Sequence, residues 1–293
     1  MLLGSIEAGG TKFICAVGDE HYHIVDKVRI PTETPDVTLK KTVEYFKQFK
    51  NLEAISIASF GPIEVRHHSK KYGYILDTPK ISWSNVNFLG YLKQNFSIPM
   101  YWTTDVNGSA YGEYIKASEN HEKIRSLIYY TIGTGVGAGG VINGKFIGIL
   151  GHPEVGHVNV KRHPDDLKFP GICPYHGDCL EGLVSGPTFE ARLGKKGPEV
   201  PITNHVWDIM AYYVAQALIQ ITLMIRPERL VLGGGVLNET FLKKIRKQFS
   251  LLMNGYIKIN NLSKYIQLPS VKNNGSATLG NFALAMHVLK QTK

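Results

Sequence analysis

The sequence predicts an α/β protein built in two halves, each a mixed sheet with helices packed on it. Three observations carry this. The segment up to about residue 117 reads β-β-β-α-β-α-β-α, an order that lays strands into a sheet and returns through helices. The second half restarts in the same way, with SLIYYTIGTGVGAGGVINGKFIG giving a strand, a Gly-rich turn carrying Thr, and a returning strand. At 293 residues, the chain is long enough for one large or two modest cores.

The elements follow in order. GSIEAGG, TKFICAVGD and HYHIVDKVRI are short apolar-rich runs, the last two separated by the turn Gly18-Asp19-Glu20. Thr34-Pro35 opens a helix to about Phe49, with Thr34 as N-cap and Pro35 in the first turn. LEAISIASFGP is a strand, Val86 to Gln94 a helix, PMYWTTD a strand, and Val106 to Ala117 a helix. Later come a hairpin at Asn143-Gly144, a helix from about Asn204 to Ile225, the strand RLVLGGG, a helix from Asn238 to about Met253, and a last helix from about Ser276. Val206, Met210, Tyr213, Ala217, Ile221 and Met224 recur at helical spacing, which marks a core face.

Composition narrows the function classes. Apolar residues make up 43% and charged residues 19%, ordinary for a folded soluble protein. The apolar stretch Val206 to Ile225 is broken by Asp208, Gln216 and Gln220, so no membrane span is expected, and MLLGSIEAGG lacks the pattern of a signal peptide. A cytoplasmic location is the expectation. The net charge of +9 comes from scattered pairs such as Lys40-Lys41 and Lys70-Lys71, which read as a solvated surface without a nucleic-acid-binding motif.

Two loops share one chemistry. Glu7-Ala8-Gly9-Gly10-Thr11-Lys12 and Ile132-Gly133-Thr134-Gly135-Val136-Gly137 are hairpin tips with Gly and Thr. Glycine lets backbone N–H groups turn towards an anion, and the Thr hydroxyl adds a donor, so both are candidate phosphate loops. Gly135-Val136-Gly137-Ala138-Gly139-Gly140 also fits G-x-G-x-x-G, but a hairpin follows where a dinucleotide site requires a helix. A P-loop signature is absent from the sequence. The run Leu232-Gly233-Gly234-Gly235-Val236 is either a close approach for a ring or phosphate, or a tight strand-to-helix turn.

Asp105 stands where a strand gives way to a helix, and the helix N-terminus favours its ionised form there. It is the chain's best candidate for accepting an alcohol proton during phosphoryl transfer, and an N-cap is the other reading. Cys15 lies in a buried apolar run. Cys173 and Cys179 sit among histidines, and His157, Cys173, His176 and Cys179 make a Cys₂His₂ set with structural-zinc spacing. His152 and His163 nearby read as surface loop histidines.

IEAGGTK, SFGP, TTDVNGSAYGE, IGTGVGAG, HPEVGH, the Cys/His cluster and LVLGGGV, in this order and nearly end to end, resemble the ROK family of sugar kinases and sugar-responsive repressors. HPEVGHVNVKRHPDD followed by CPYHGDCLEG looks closest to its fructokinase branch. The resemblance implies an actin-like ATPase (ribonuclease H-like) fold, two α/β domains with the active site in the interdomain cleft. Residues 1–118, completed by a helix at 276–293, would form the N-terminal domain, and 119–275 the larger C-terminal domain with the zinc site. It implies ATP with Mg²⁺ as phosphoryl donor, a free hexose (fructose) as acceptor, and Asp105 as general base. ATP would meet Gly10, Thr11, Lys12, Thr134, Pro187, Gly234, Gly235, Val236 and Asn238.

The sugar would meet Gly61, Pro62, Thr104, Asp105, Glu154, His157 and Glu181, with Zn²⁺ on His157, Cys173, His176 and Cys179 holding the last three in place. A homodimer is implied. Two positions depart from the family: Glu7 stands where Asp is usual, and Thr104 where Asn is common. Glucose or mannose as acceptor, or a non-catalytic sugar-sensing regulator, are the alternatives. With the first strand expected to begin near Leu2, no DNA-binding extension is expected, and intact loops with Asp105 speak for catalysis. Because the ATP loops lie elsewhere in the sequence, loss of zinc is expected to spare nucleotide binding.

Overall fold

The computed structural model describes residues 1–292 and divides into two compact units. Unit 1 comprises Met1–Lys123, Gly139–His152 and Ser270–Lys293, and unit 2 comprises Ile124–Ala138 and Pro153–Pro269. The short stretch Gly139–His152 thus belongs with unit 1, although it follows the restart of the second half.

Unit 1 is built on a five-stranded sheet of order β3-β2-β1-β4-β7, formed by β1 (Leu2–Ala8), β2 (Lys12–Gly18), β3 (Ile24–Pro31), β4 (Leu52–Ser59) and β7 (Met100–Thr104). The first three are antiparallel, and β1, β4 and β7 run parallel. Crossovers pass through α1 (Pro35–Phe46) and through an insertion holding the small ribbon β5 (Tyr74–Ile75) and β6 (Val86–Asn87) before α2 (Phe88–Asn95). One core gathers Phe13, Phe46, Ile57, Trp83, Phe88 and Trp102. The helix expected from Thr34 to Phe49 ends at Phe46, and Thr34 is its extended N-cap without a side-chain capping bond.

The opposite sheet face is covered by α9 (Ser276–Thr292), whose Phe282, Ala285, Met286 and Leu289 pack on Leu3, Ala16 and Ala54. Next to it lies α3 (Asp105–Glu119). The two helices meet backbone to backbone: a Cβ on Gly112 would collide with the Ser276 carbonyl oxygen, and one on Gly280 with that of Gly108. Buried Glu113 locks the crossing by accepting from Ser270 N (2.8 Å), Val271 N (3.1 Å) and Ser276 Oγ (2.7 Å).

The second sheet has the order β10-β9-β8-β11-β12, from β8 (Ser126–Ile132), β9 (Val136–Ile142), β10 (Lys145–Phe146), β11 (Arg229–Gly233) and β12 (Ile266–Gln267). Within unit 2, β11 is parallel to both β8 and β12. Its helices are α4 (Leu180–Val184), α5 (Pro187–Leu193), α6 (Val206–Ile225), α7 (Glu239–Met253) and α8 (Leu262–Tyr265).

Among the described residues, α6 is the one helix long and apolar enough to cross a membrane. Its Met210, Tyr213, Val214 and Leu218 are buried in the core instead, while Gln216 and Gln220 bond loop carbonyls. On α7, Phe241, Leu242, Ile245, Phe249 and Met253 form the buried stripe.

Candidate active site

In unit 1 the candidate groups gather where β1, β4 and β7 end. The β1–β2 turn is closed by Gly9 N bonding Lys12 O (3.0 Å), and Thr32 holds it from outside, with Oγ1 donating to Gly9 O (2.7 Å). Lys80 adds a clamp that the sequence did not announce: its Nζ donates to Gly10 O (2.6 Å) and Thr32 O (3.2 Å). TPKISW is irregular, so no periodic pattern marks that lysine. Beside the turn, Phe60 N donates to Ala8 O (2.8 Å), which brings Gly61-Pro62, a cis peptide, to the end of β1.

Asp105 is the first residue of α3. The N-cap is Thr104, whose Oγ1 accepts from Asn107 N at 3.3 Å, so the capping role weighed for Asp105 falls to its neighbour. Buried Thr104 therefore uses its hydroxyl oxygen on the helix. Asp105 Oδ1 accepts from Val106 N (2.9 Å), within the first-turn field that favours a carboxylate. Glu7, near the end of β1, feels that charge: its carboxyl is pushed up to about 7 from an ordinary 4.5, first by burial and then by Asp105, with Lys27 and Lys12 opposing.

In unit 2 the second glycine loop joins β8 to β9. Thr134, Pro187, Gly235, Val236 and Asn238 border one cavity of about 700 Å³, together with Gly133 and Gly186. Gly234 sits at φ +96°, and a Cβ there would strike the backbone of Ile132, so this turn demands glycine. Asn238 caps α7 through Oδ1 on Phe241 N (2.9 Å). The apolar walls come from Phe189, Pro198, Val200, Ile202 and Trp207. Sequence reasoning missed them, because each reads as ordinary core or loop.

The Cys/His residues converge in the same unit. His157 Nδ1 lies 3.7 Å from Cys173 Sγ and 3.6 Å from Cys179 Sγ, and His176 Nδ1 lies 3.7 Å from Cys173 Sγ. All four ligand atoms fall within 4.8 Å of one another. Zinc–sulfur and zinc–nitrogen bonds of about 2.3 and 2.05 Å at a tetrahedral angle give a nitrogen–sulfur separation of roughly 3.6 Å. The donor set therefore fits zinc in both chemistry and spacing. The cradle is a tight hairpin in which Cys173 N bonds Gly177 O (3.1 Å) and Gly177 N bonds Cys173 O (2.9 Å).

Glu154 is exposed three residues before His157, and its carbonyl accepts from His157 N (3.1 Å). Glu181 is the second residue of α4, two after Cys179, and its Oε2 accepts from Val136 N at 2.9 Å. That bond ties the Cys/His segment to the second glycine loop. Remoteness in sequence thus misled: the two are adjacent in space.

The family profile described as the ROK family matches residues 3–288. The chain belongs to the ROK family. ROK relatives include a protein of Streptococcus mutans serotype c named fructokinase, 52% identical over 98% of both chains. Another, from Lactococcus lactis subsp. cremoris and also named fructokinase, is 51% identical over 96% of both. Among solved structures, the ROK hexokinase from Thermus thermophilus superposes with a TM-score of 0.78 at 22% identity, covering 99% of this chain and 100% of that one. The ROK fold, an actin-like ATPase fold of mixed α/β type, is therefore the fold of this chain.

Proposed function

We propose that this protein is an ATP-dependent fructokinase, converting ATP and D-fructose to ADP and D-fructose 6-phosphate. The observation that carries the reading is the placement of Asp105 on the first turn of α3, in a chain 52% identical to a protein named fructokinase. Asp105 takes the proton of the attacking hydroxyl as its oxygen forms the bond to the γ-phosphorus, while the bond to the ADP oxygen breaks. The candidate phosphate contacts are Gly10, Thr11 and Lys12 in unit 1 and Thr134 in unit 2, and the cavity of unit 2 beside Pro187, Gly235, Val236 and Asn238 suits the nucleoside.

A kinase of this kind takes ATP with Mg²⁺, which spreads the phosphate charge when bound. Glu7 suits the cation: burial and the Asp105 carboxylate disfavour its negative charge, and a divalent ion would relieve that conflict. On the sugar side, Gly61, Pro62, Thr104, Glu154, His157 and Glu181 are the candidate contacts. His157, Cys173, His176 and Cys179 would hold a structural zinc. With Nδ1 facing the thiolates, Nε2 of His157 is left to hydrogen-bond a hydroxyl. A homodimer accompanies the proposal and is checked by light scattering.

A coupled assay with ATP across fructose, glucose, mannose and N-acetylmannosamine tests the reading. The highest kcat/KM is expected for fructose. A larger value for another hexose would make this a broader or different hexose kinase, and no turnover at all would remove the kinase assignment.

A further inference from the structure

We propose that His163, Asp165 and His205 form a second metal site in unit 2, taking a borderline divalent cation such as zinc, separate from the Cys/His cluster. Their ligand atoms all lie within 4.8 Å of one another. Asp165 Oδ2 is 2.8 Å from His205 Nε2 and 3.9 Å from His163 Nδ1. The His163 and His205 rings stand 5.9 Å apart at 74°. Two imidazoles and one carboxylate are a donor set for zinc with an open position, where water completes the shell. The side chains of Asp165 and His205 are both 59% exposed, so a hydrated ion can enter.

The frame behind the ligands is rigid. Residues 159–166 are stitched to α6 by Gln220 Nε2 donating to Asn159 O (3.0 Å), by a two-way bond between Gln216 and the Lys161 backbone (2.8 and 3.0 Å), and by His163 N donating to Tyr213 Oη (3.0 Å). The His163 ring is held edge-on against Tyr212, with centroids 5.1 Å apart at 86°. Beside Asp165, buried Asp166 takes a two-bond fork from Arg192 (3.1 and 2.9 Å) and a bond from Tyr213 Oη (2.9 Å). Fixed orientation of this kind is what lets a few ligands bind a metal well.

A plain ion pair between Asp165 and His205 accounts for two of the three groups. At such exposure it contributes little. The His163 ring is turned towards Asp165 by a capping bond in which its Nδ1 accepts from Asp165 N (3.2 Å), and a metal on that nitrogen would replace this bond. A metal would use all three and staple the 159–166 loop to the residue that precedes α6. The inference rests on unit 2 geometry alone and stands or falls apart from the kinase reading.

The test is calorimetric titration with zinc chloride, in a non-chelating buffer at pH 7.5, of protein dialysed until only tightly held metal remains. One further equivalent is expected in the parent protein. His205→Ala and Asp165→Asn, both at exposed positions, should each weaken it by more than tenfold, since a lost ligand costs at least what a lost outer partner does, roughly 10–100-fold. Metal held by the Cys/His cluster should be unchanged in both variants. Cobalt at the new site should show weak absorption without the intense thiolate charge-transfer bands. No further equivalent in the parent protein would overturn the proposal, as would one that persists at full affinity in both variants.

Discussion

Replacing Glu7 by Gln isolates the charge conflict at the end of β1. Burial, and then the Asp105 carboxylate, push Glu7 up from 4.5 to about 7. A folded value above the unfolded one means the neutral form favours the fold. Its contribution is complete below about pH 4.5 and is lost as pH rises through about 7. At about 1.36 kcal/mol per tenfold change in proton affinity, holding Glu7 ionised costs the folded state up to about 3 kcal/mol at pH 8 and above.

Gln keeps the shape of the protonated acid and never ionises. The variant should match the parent near pH 4.5 and pull ahead between pH 5 and 8, towards that figure. Urea denaturation followed by fluorescence reads this directly, because Trp83 and Trp102 report on unit 1. Magnesium nucleotide should shrink the gap, since a cation favours the ionised acid, and binding near pH 7 should release a proton in calorimetry with buffers of different ionisation enthalpy. A stability difference that stays constant from pH 5 to 8.5, or a variant that loses ground as pH rises, would refute the charge argument.

Three further outcomes are expected. Asp105→Asn should lower kcat by about 10²–10⁴-fold with unchanged circular dichroism, because Thr104 carries the cap; turnover within a few-fold of the parent removes the base assignment. Thr134→Val should weaken ATP binding by about 1–3 kcal/mol, and unchanged ATP affinity and rate would mean that this turn meets no phosphate. Cys179→Ser should lose about one zinc per chain and raise the fructose KM steeply. Through Glu181 on Val136 N it should also raise the ATP KM, so an effect confined to fructose would show that this bond carries no coupling.

Most of the strands and helices were legible because they obey strong local rules. The continuous apolar run in SLIYYTI, the Asn143-Gly144 hairpin and the stripe on α6 leave little freedom. Asp105 could be placed because a strand end and a helix start adjoin it. What was not legible depends on contacts between distant segments. Lys80 reaches a turn 70 residues away, and Glu181 reaches Val136 across 45. His163, read as a surface histidine, is only 18% exposed because Tyr212 and Tyr213 hold it. The α3–α9 crossing leaves only glycines in the sequence, and a glycine announces a close approach without naming its partner.

That crossing also sets a schedule for biosynthesis. The first sheet is complete up to β7 by residue 104, yet Leu3, Ala16 and Ala54 stay uncovered until Phe282 and Met286 leave the ribosome. At about 5–20 residues per second, the wait is roughly 10–40 s. Over that interval an apolar sheet face and the α3 glycines are open to chaperones or to a neighbouring nascent chain. Lengthening the wait with slow codons after β8 should therefore lower the soluble yield, and supplying the α9 segment in trans should restore part of it.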